Sequence, residues 1–218
     1  MSQGDFWSLY GTRILDSLSQ HLFLTGAALA LGILIAIPLG ILLTRFPRWA
    51  EPVITVASIL QTIPSLAFLA LVLPFLGIGT LPALAVLFLY SLLPILRNTY
   101  VGVRSVDAAL VDAAQGQGMT SWEVLTMVEL PLAAPVIVTG IRLSAVYLVS
   151  WATLAGLIGA GGLGDLIFAG LDSYDATLLM AGAIPTAVLA LLIGFGFGLV
   201  RRLVTPRGLR KEAQAQWT

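Results

Sequence analysis

The sequence predicts an all-α polytopic membrane bundle: five transmembrane helices, the N-terminus outside, the C-terminus in the cytoplasm, and one sizeable cytoplasmic helical loop. Three observations predict it. The 218 residues are 58% hydrophobic and only 10% charged, against about 25% charged in a soluble domain. Four long runs contain no Asp, Glu, Lys or Arg, and a spanning helix needs about 20 mainly apolar residues. Ten of the eleven positive charges fall on one side of the resulting spans, the pattern of short cytoplasmic loops.

The whole chain reads as one membrane domain, 1–218. Residues 1–20 carry Asp5, Arg13 and Asp16 and lack a basic start followed by an apolar core, so no cleavable signal peptide is expected. They read either as a short interfacial helix anchored by Phe6, Trp7, Leu9 and Tyr10 or as loose terminal residues. The first span covers about 22–44. The charge-free run 52–96 is too long for one helix and right for two, about 53–76 and 81–97, with the break at Gly77-Ile78-Gly79-Thr80-Leu81-Pro82, where glycine and proline favour a turn. The last two spans cover about 143–163 and 176–200. Arg45 and Arg48 follow span 1, Arg97 and Arg104 follow span 3, Arg142 precedes span 4, and Arg201, Arg202, Arg207, Arg210 and Lys211 follow span 5. Only Arg13 lies opposite. Arg142 reads as a snorkelling arginine that ends span 4 or as a charge in a substrate path.

With equal numbers of acidic and basic residues, the chain offers no basic surface for nucleic acid. It has no cysteine and one histidine, His21, so disulfides, thiolate metal sites and His-Cys dyads are excluded within it.

The loop at 105–131 is the main polar excursion. Residues 106–116 read as a short helix, with Asp107 near its start, where a negative charge suits the helix dipole. Gly116 and Gly118 stop it. A second helix opens at Thr120, whose hydroxyl caps it while Glu123 reaches back in a capping box; it runs to Leu130 and is ended by Pro131. Met119, Trp122, Val124, Leu125 and Val128 are too many apolar residues for the chain's own spans to cover. Either some of them enter a partner's groove, as an amphipathic helix does, or the loop packs back on the headgroups through Trp122 and Met127.

Asp112-Ala113-Ala114, then Gly118, then Val128, Leu130 and Pro131 resemble the EAA motif of type I ABC importer permeases, in which Glu-Ala-Ala is followed by three residues, Gly, nine residues, an aliphatic residue, one residue and Leu-Pro. The spacing agrees throughout. Asp112 replaces the usual Glu, keeping the charge and shortening its reach. Gln61-Thr62-Ile63-Pro64-Ser65-Leu66-Ala67 and Gly159-Ala160-Gly161-Gly162-Leu163-Gly164 resemble the osmoprotectant branch, within a compact methionine-permease-like transmembrane domain. The resemblance implies a permease subunit of the bacterial or archaeal cytoplasmic membrane that moves glycine betaine, carnitine, choline or a similar quaternary amine inward by alternating access. It implies two cytoplasmic ABC ATPase subunits that use ATP and Mg, a second permease copy or a related permease, and an extracytoplasmic solute-binding protein. The chain itself is then no enzyme and binds no cofactor. The coupling residues it implies are Asp112, Ala113, Ala114, Gly118, Met119, Trp122, Glu123, Leu130 and Pro131.

Gly159–Gly164 also spells G-x-G-x-x-G, but that fingerprint has meaning only between a strand and a helix of a soluble unit. After a span, the glycines instead let the chain turn or pack closely. Pro38, Pro64, Pro74, Pro94 and Pro185 lie in apolar spans, where each removes a helix hydrogen bond and frees a carbonyl. Around Pro64, Gln61, Thr62 and Ser65 are polar; Gln61 and Ser65, four apart, share a face and either line a passage or bond neighbouring helices. Tyr147 and Trp151, also four apart, present a face for a quaternary ammonium or pack against neighbours. Gly182, Gly194, Gly196 and Gly198 in span 5 read as small-residue packing. The alternatives to the main reading are an ABC permease for another small solute such as an amino acid, or an ion-coupled secondary transporter. The latter usually carries an intramembrane charge, and none but Arg142 is present.

Overall fold

A computed structural model describes residues 3–206, with side chains from residue 10 onward. The side chains of Phe6, Trp7 and Leu9, and residues Arg207, Arg210 and Lys211, lie outside what is described. Helix α1 (Gln3–Arg45) runs unbroken for 43 residues, about 65 Å at 1.5 Å per residue. That is twice the hydrocarbon thickness of about 30 Å. Residues 3–20 are therefore a helical extension of the first span, and Tyr10 packs with Ile14 against the far side of the bundle.

The second expected span is not one helix. It forms α2 (Pro47–Thr62) and α3 (Ser65–Leu76), bent by 95° at the break between them. The cause is Pro64, whose ring disfavours the helical conformation of the residue before it. Ile63 accordingly adopts an extended backbone, φ −65° and ψ 126°. Helix α4 (Thr80–Arg104) continues two turns beyond the expected 97 and forms the middle of the bundle, packed against α1, α2 and α3.

Next come α5 (Ala108–Gly116) and α6 (Ser121–Val124), a π turn (Leu125–Glu129), α7 (Leu130–Ala152) and a 3-10 helix (Thr153–Ile158). Here the expectation that Pro131 ends a short helix fails. The helical run continues through it from Ser121 to Ile158. In an α-helix the proline ring collides with the carbonyl four residues back. A π turn closes i→i+5 bonds instead, and the Leu130 N–H bonds to the Leu125 carbonyl, so the widened turn accommodates the proline. Helix α7 thus begins thirteen residues before the expected start of span 4. Helix α8 (Leu163–Asp172), in the stretch between the last two expected spans, precedes α9 (Ala176–Val204). The described helices include four long and apolar enough to cross a membrane, or five when the bent α2–α3 pair counts as one crossing.

Helices approach closely where side chains are small. Ser144 Oγ donates to the Ser91 carbonyl at 2.7 Å, a bond between α7 and α4. At Gly140 a Cβ would lie 2.6 Å from both Asn98 Cβ and the Pro94 carbonyl oxygen, so Gly140→Ala should force α7 off α4 and destabilise by about 1–3 kcal/mol, the usual cost of overpacking. Gly196→Ala meets nothing within 4 Å and should leave thermal stability unchanged. Comparing the two variants' melting temperatures in detergent checks this.

The glycine loop that follows the 3-10 helix is tied to the middle of α1. Gly161 and Gly162 have φ of +80° and +89°, open to glycine at little cost. Without a side chain on either, Gln20 and His21 reach the loop backbone. The Gly162 N–H donates to Gln20 Oε1 at 2.9 Å, and the Leu163 N–H donates to His21 Nδ1 at 3.3 Å. Since Nδ1 accepts, the proton sits on Nε2, which donates to the Val149 carbonyl at 3.0 Å. His21, fully buried, is therefore a structural clamp, and the loop both turns and packs closely, with no strand before it. In α9, Gly182 packs against Leu163 and Ile167 of α8, whereas Gly194 and Gly198 lie beside Arg142.

Candidate functional site: the coupling loop and the membrane elbow

At the loop, Asp107 caps α5 by accepting from the Ala109 N–H at 2.9 Å. Gly118 then reverses the chain with φ +87°, a conformation that L side chains adopt only with strain. The capping box is formed: the Glu123 N–H donates to Thr120 Oγ1 at 3.3 Å, and the Thr120 N–H donates to Glu123 Oε2 at 2.7 Å. The bonds from the Thr120 backbone and hydroxyl hold the Glu123 carboxyl below its ordinary value. A depressed carboxylate contributes stability that is present above its unfolded pKa and lost as pH falls through its folded one. Acidification should thus fray the start of α6. Protection of the Thr120 amide from hydrogen exchange, taken relative to the intrinsic rate at each pH, is expected to fall on acidification in the native chain and to stay low at every pH in Glu123→Gln.

Ala114 is buried beneath the loop, while Asp112, Ala113 and Glu123 are exposed and Met119 is half-buried. Trp122 and Met127 are 71% and 67% exposed. Trp122 stands on α6 and Met127 on the π turn. Leu130 and Pro131 stand at the base, where the π turn passes into α7.

The base holds a group that the sequence reading missed. Glu129, 5% exposed, forms a two-pronged ion pair with Arg45 at the end of α1. Arg45 Nη1 donates to Oε1 at 3.2 Å, and Nη2 pairs with Oε2. Beside it, Asp112, Arg45 and Arg104 border one cleft of about 350 Å³. The chain spacing between positions 45 and 129 gave no sign of the pair, because Glu129 fills the unspecified position between Val128 and Leu130.

The second assembly is the elbow between α2 and α3. Pro94 has no N–H to offer the carbonyl of Tyr90, one turn back. Gln61 Nε2 lies 3.5 Å from that carbonyl oxygen and donates to it. In return, Tyr90 Oη donates to the carbonyl of Ile63, which the break at Pro64 has left outside a helix. Two prolines thus expose two carbonyls, and two side chains satisfy them. Tyr90 is also the middle of an aromatic row. Its ring centroid lies 4.6 Å from that of Trp151 and 5.7 Å from that of Phe68, and Trp151 lies 5.5 Å from Tyr147.

The structure therefore brings together Gln61, Ser65, Tyr147 and Trp151, with Tyr90 as the hub. Ser65, Tyr90 and Trp151 border an internal cavity of only about 10 Å³, near the size of a single water and too small for an organic solute. Thr62 is not part of the cluster. It is exposed, and its hydroxyl bonds the Ile59 carbonyl one turn back at 2.7 Å. Pro64 is exposed at the bend itself.

A sequence profile of the family described as "Binding-protein-dependent transport system inner membrane component" matches residues 17–209. The chain belongs to this family. Over 209 residues, 96% of each chain, the permease is 53% identical to a carnitine transport permease protein, OpuCB, of Listeria monocytogenes. It is 47% identical over 205 residues, 94% of each chain, to the glycine betaine/carnitine/choline transport system permease protein OpuCB of Bacillus subtilis. Its fold superposes with a TM-score of 0.82 on a chain of the inward-facing MetNI methionine ABC transporter, covering 94% of the permease and 100% of that chain at 24% identity. The permease is thus an inner-membrane transport component with an all-helical type I ABC permease fold. Tyr90 escaped the sequence reading because an isolated tyrosine in an apolar run looks like core; the signal available was Pro94, four residues on, which freed its carbonyl.

Proposed function

We propose that this chain is the membrane half of an ATP-driven importer for a small quaternary-ammonium solute such as carnitine, glycine betaine or choline. What carries the reading is the 53% identity to a carnitine transport permease along 96% of both chains. The chain hydrolyses nothing. Two copies, or one copy and a related permease, pair in the membrane; two cytoplasmic ABC ATPases that bind ATP and Mg grip the loop tips; an extracytoplasmic binding protein delivers the solute.

In this mechanism Asp112, Ala113, Met119 and Trp122 meet the ATPase, with Ala114 packed beneath them. Gly118 and the Thr120–Glu123 box fix the tip's shape. Because the run from Ser121 continues into α7 through Leu130 and Pro131, a push on the tip moves a span with no flexible joint between. The Arg45–Glu129 pair carries the same push to α1. Rigidity matters, since inverting a 1:99 population between inward- and outward-facing states takes about 5.5 kcal/mol of differential binding. At the membrane level the elbow with Gln61, Pro64 and Ser65 forms the gate. Thr62 stands exposed at the passage side of the elbow, and Tyr147, 44% exposed, with Trp151 offers a cation-attracting face. The loop and the C-terminus then lie in the cytoplasm and the N-terminus outside, a reading supported by the arginines at the loop-side ends of the spans.

Reconstitution with the ATPase and binding protein in liposomes is the test. ATP-dependent uptake of labelled carnitine, glycine betaine or choline is expected, and uptake of an amino acid with none of these would replace the reading by its closest alternative. Since the chain contains no cysteine, Ser121→Cys and Ser173→Cys report sidedness directly. An impermeant maleimide added to whole cells should label position 173 and not 121.

A further inference from the structure

Arg142 lies on α7 well inside the apolar run, yet the described structure gives it no carboxylate. Its guanidinium instead extends over α9, where Nη2 and Nη1 come within 4.0 and 3.9 Å of where Cβ atoms would stand on Gly194 and Gly198. Two glycines one turn apart leave room for the charge to cross the helix. The groove so formed, of about 280 Å³, is lined by Arg142, Arg201, Arg202, Gly194, Phe195 and Leu199. No acidic side chain lines it among the described residues. Arg201 and Arg202 stand in the last turn of α9, where cations also suit the helix dipole.

Arg142 and Arg201, facing one groove, repel one another unless an anion lies between them. The walls say which kind. Phe195 is 68% exposed, and above it on α9 Leu191, Leu192 and Val188 are exposed too, an apolar track leading from the groove toward the membrane interior. A free inorganic anion would use the arginines and leave that track idle. A phospholipid uses both, with its phosphate among the guanidiniums and an acyl chain along the leucines. Basic pockets between transmembrane helices on the cytoplasmic side bind acidic headgroups in this way.

We propose that the α7–α9 groove is a binding site for an anionic phospholipid, its phosphate held between Arg142 and Arg201. The leaflet follows from the orientation proposed above; the binding does not depend on the transported solute, so the two readings fail separately.

The full chain, purified from bilayers of equal parts phosphatidylglycerol and phosphatidylcholine, is examined by native mass spectrometry for retained lipid. Phosphatidylglycerol should be enriched on the native chain. Arg142→Gln and Arg201→Gln should each reduce that enrichment about fivefold, the usual effect of one basic residue at an anionic surface. Arg142→Lys should retain most of it, and Arg97→Gln, on an exposed face of α4, should not change it. Gly194→Leu keeps all three charges and fills the groove, and should lose the enrichment as well, which guards against a charge variant that fails to fold. Equal retention by the native chain, Arg142→Gln and Gly194→Leu would overturn the proposal. So would loss of enrichment on adding inorganic phosphate but not chloride at matched ionic strength, which would assign the groove to a free anion.

Discussion

Arg45→Glu is expected to reduce ATP-driven solute uptake at least about tenfold while ATP hydrolysis by the assembled importer persists. The substitution places two carboxylates at the base of the loop. One of them, Glu129, has a side chain only 7% exposed, and an uncompensated buried charge costs about 3–5 kcal/mol. Arg45 is 43% exposed, so water offsets part of that, and about 2 kcal/mol is a fair expectation. Each 1.4 kcal/mol is a factor of ten in an equilibrium. Arg45→Lys keeps the charge but not the two-pronged geometry, and should fall between. The double exchange Arg45→Glu with Glu129→Arg should recover a substantial part of uptake, which a general loss of folding would not. Paired measurement of uptake and hydrolysis in proteoliposomes decides it. Unchanged uptake in Arg45→Glu would remove the pair from the coupling path.

Gln61→Leu and Tyr90→Phe should each lower uptake about three- to tenfold without releasing the ATPase. Each leaves one proline-exposed carbonyl unpaired, Tyr90's in the first case and Ile63's in the second, and a lost buried hydrogen bond costs about 1 kcal/mol or somewhat more. Both bonds lock the same elbow, so the double variant should be little worse than either single one, a coupling that distant sites do not show. Thr62→Val, whose hydroxyl bonds only its own helix, should have a smaller effect. Initial uptake rates, with co-purification of the ATPase as the control for assembly, measure all four. Native rates in Gln61→Leu would mean that the elbow is a fixed structural bend.

What could be read in advance divides along the range of the interactions. Four of the expected spans follow from apolar length, a property of each run by itself, and the loop's caps from Asp107, Thr120 and Glu123, which act within a turn of each other. Arg45 and Glu129 lie 84 positions apart, and Gln61 and Tyr90 lie 29 apart; no local pattern marks such partners. Proline was the least predictable residue. Pro38, Pro94 and Pro185 sit inside continuous helices, Pro64 breaks one, and Pro131 rides over a π turn. Which occurs depends on how the neighbouring helices pack around each turn, and that is a tertiary matter. Helix α8 was missed for a related reason: ten residues with Asp at each end resemble a loop until the groove they pack into is known.

The π turn also has a rotational consequence. Each residue of an α-helix advances the side chains by about 100°, and a π turn holds one residue more than the α turn it replaces. The faces of α6 and α7 are therefore out of phase by about one residue's rotation. Deleting a single residue between 125 and 129 would restore α-helical phase and return the proline clash. The lost residue and the lost π turn cancel, so Trp122 would keep its direction relative to α7, whereas inserting one residue with the π turn unchanged would swing it by about 100°. The π turn and the number of residues in this short segment together set the aim of the loop, so an insertion there should be tolerated far less well than a substitution.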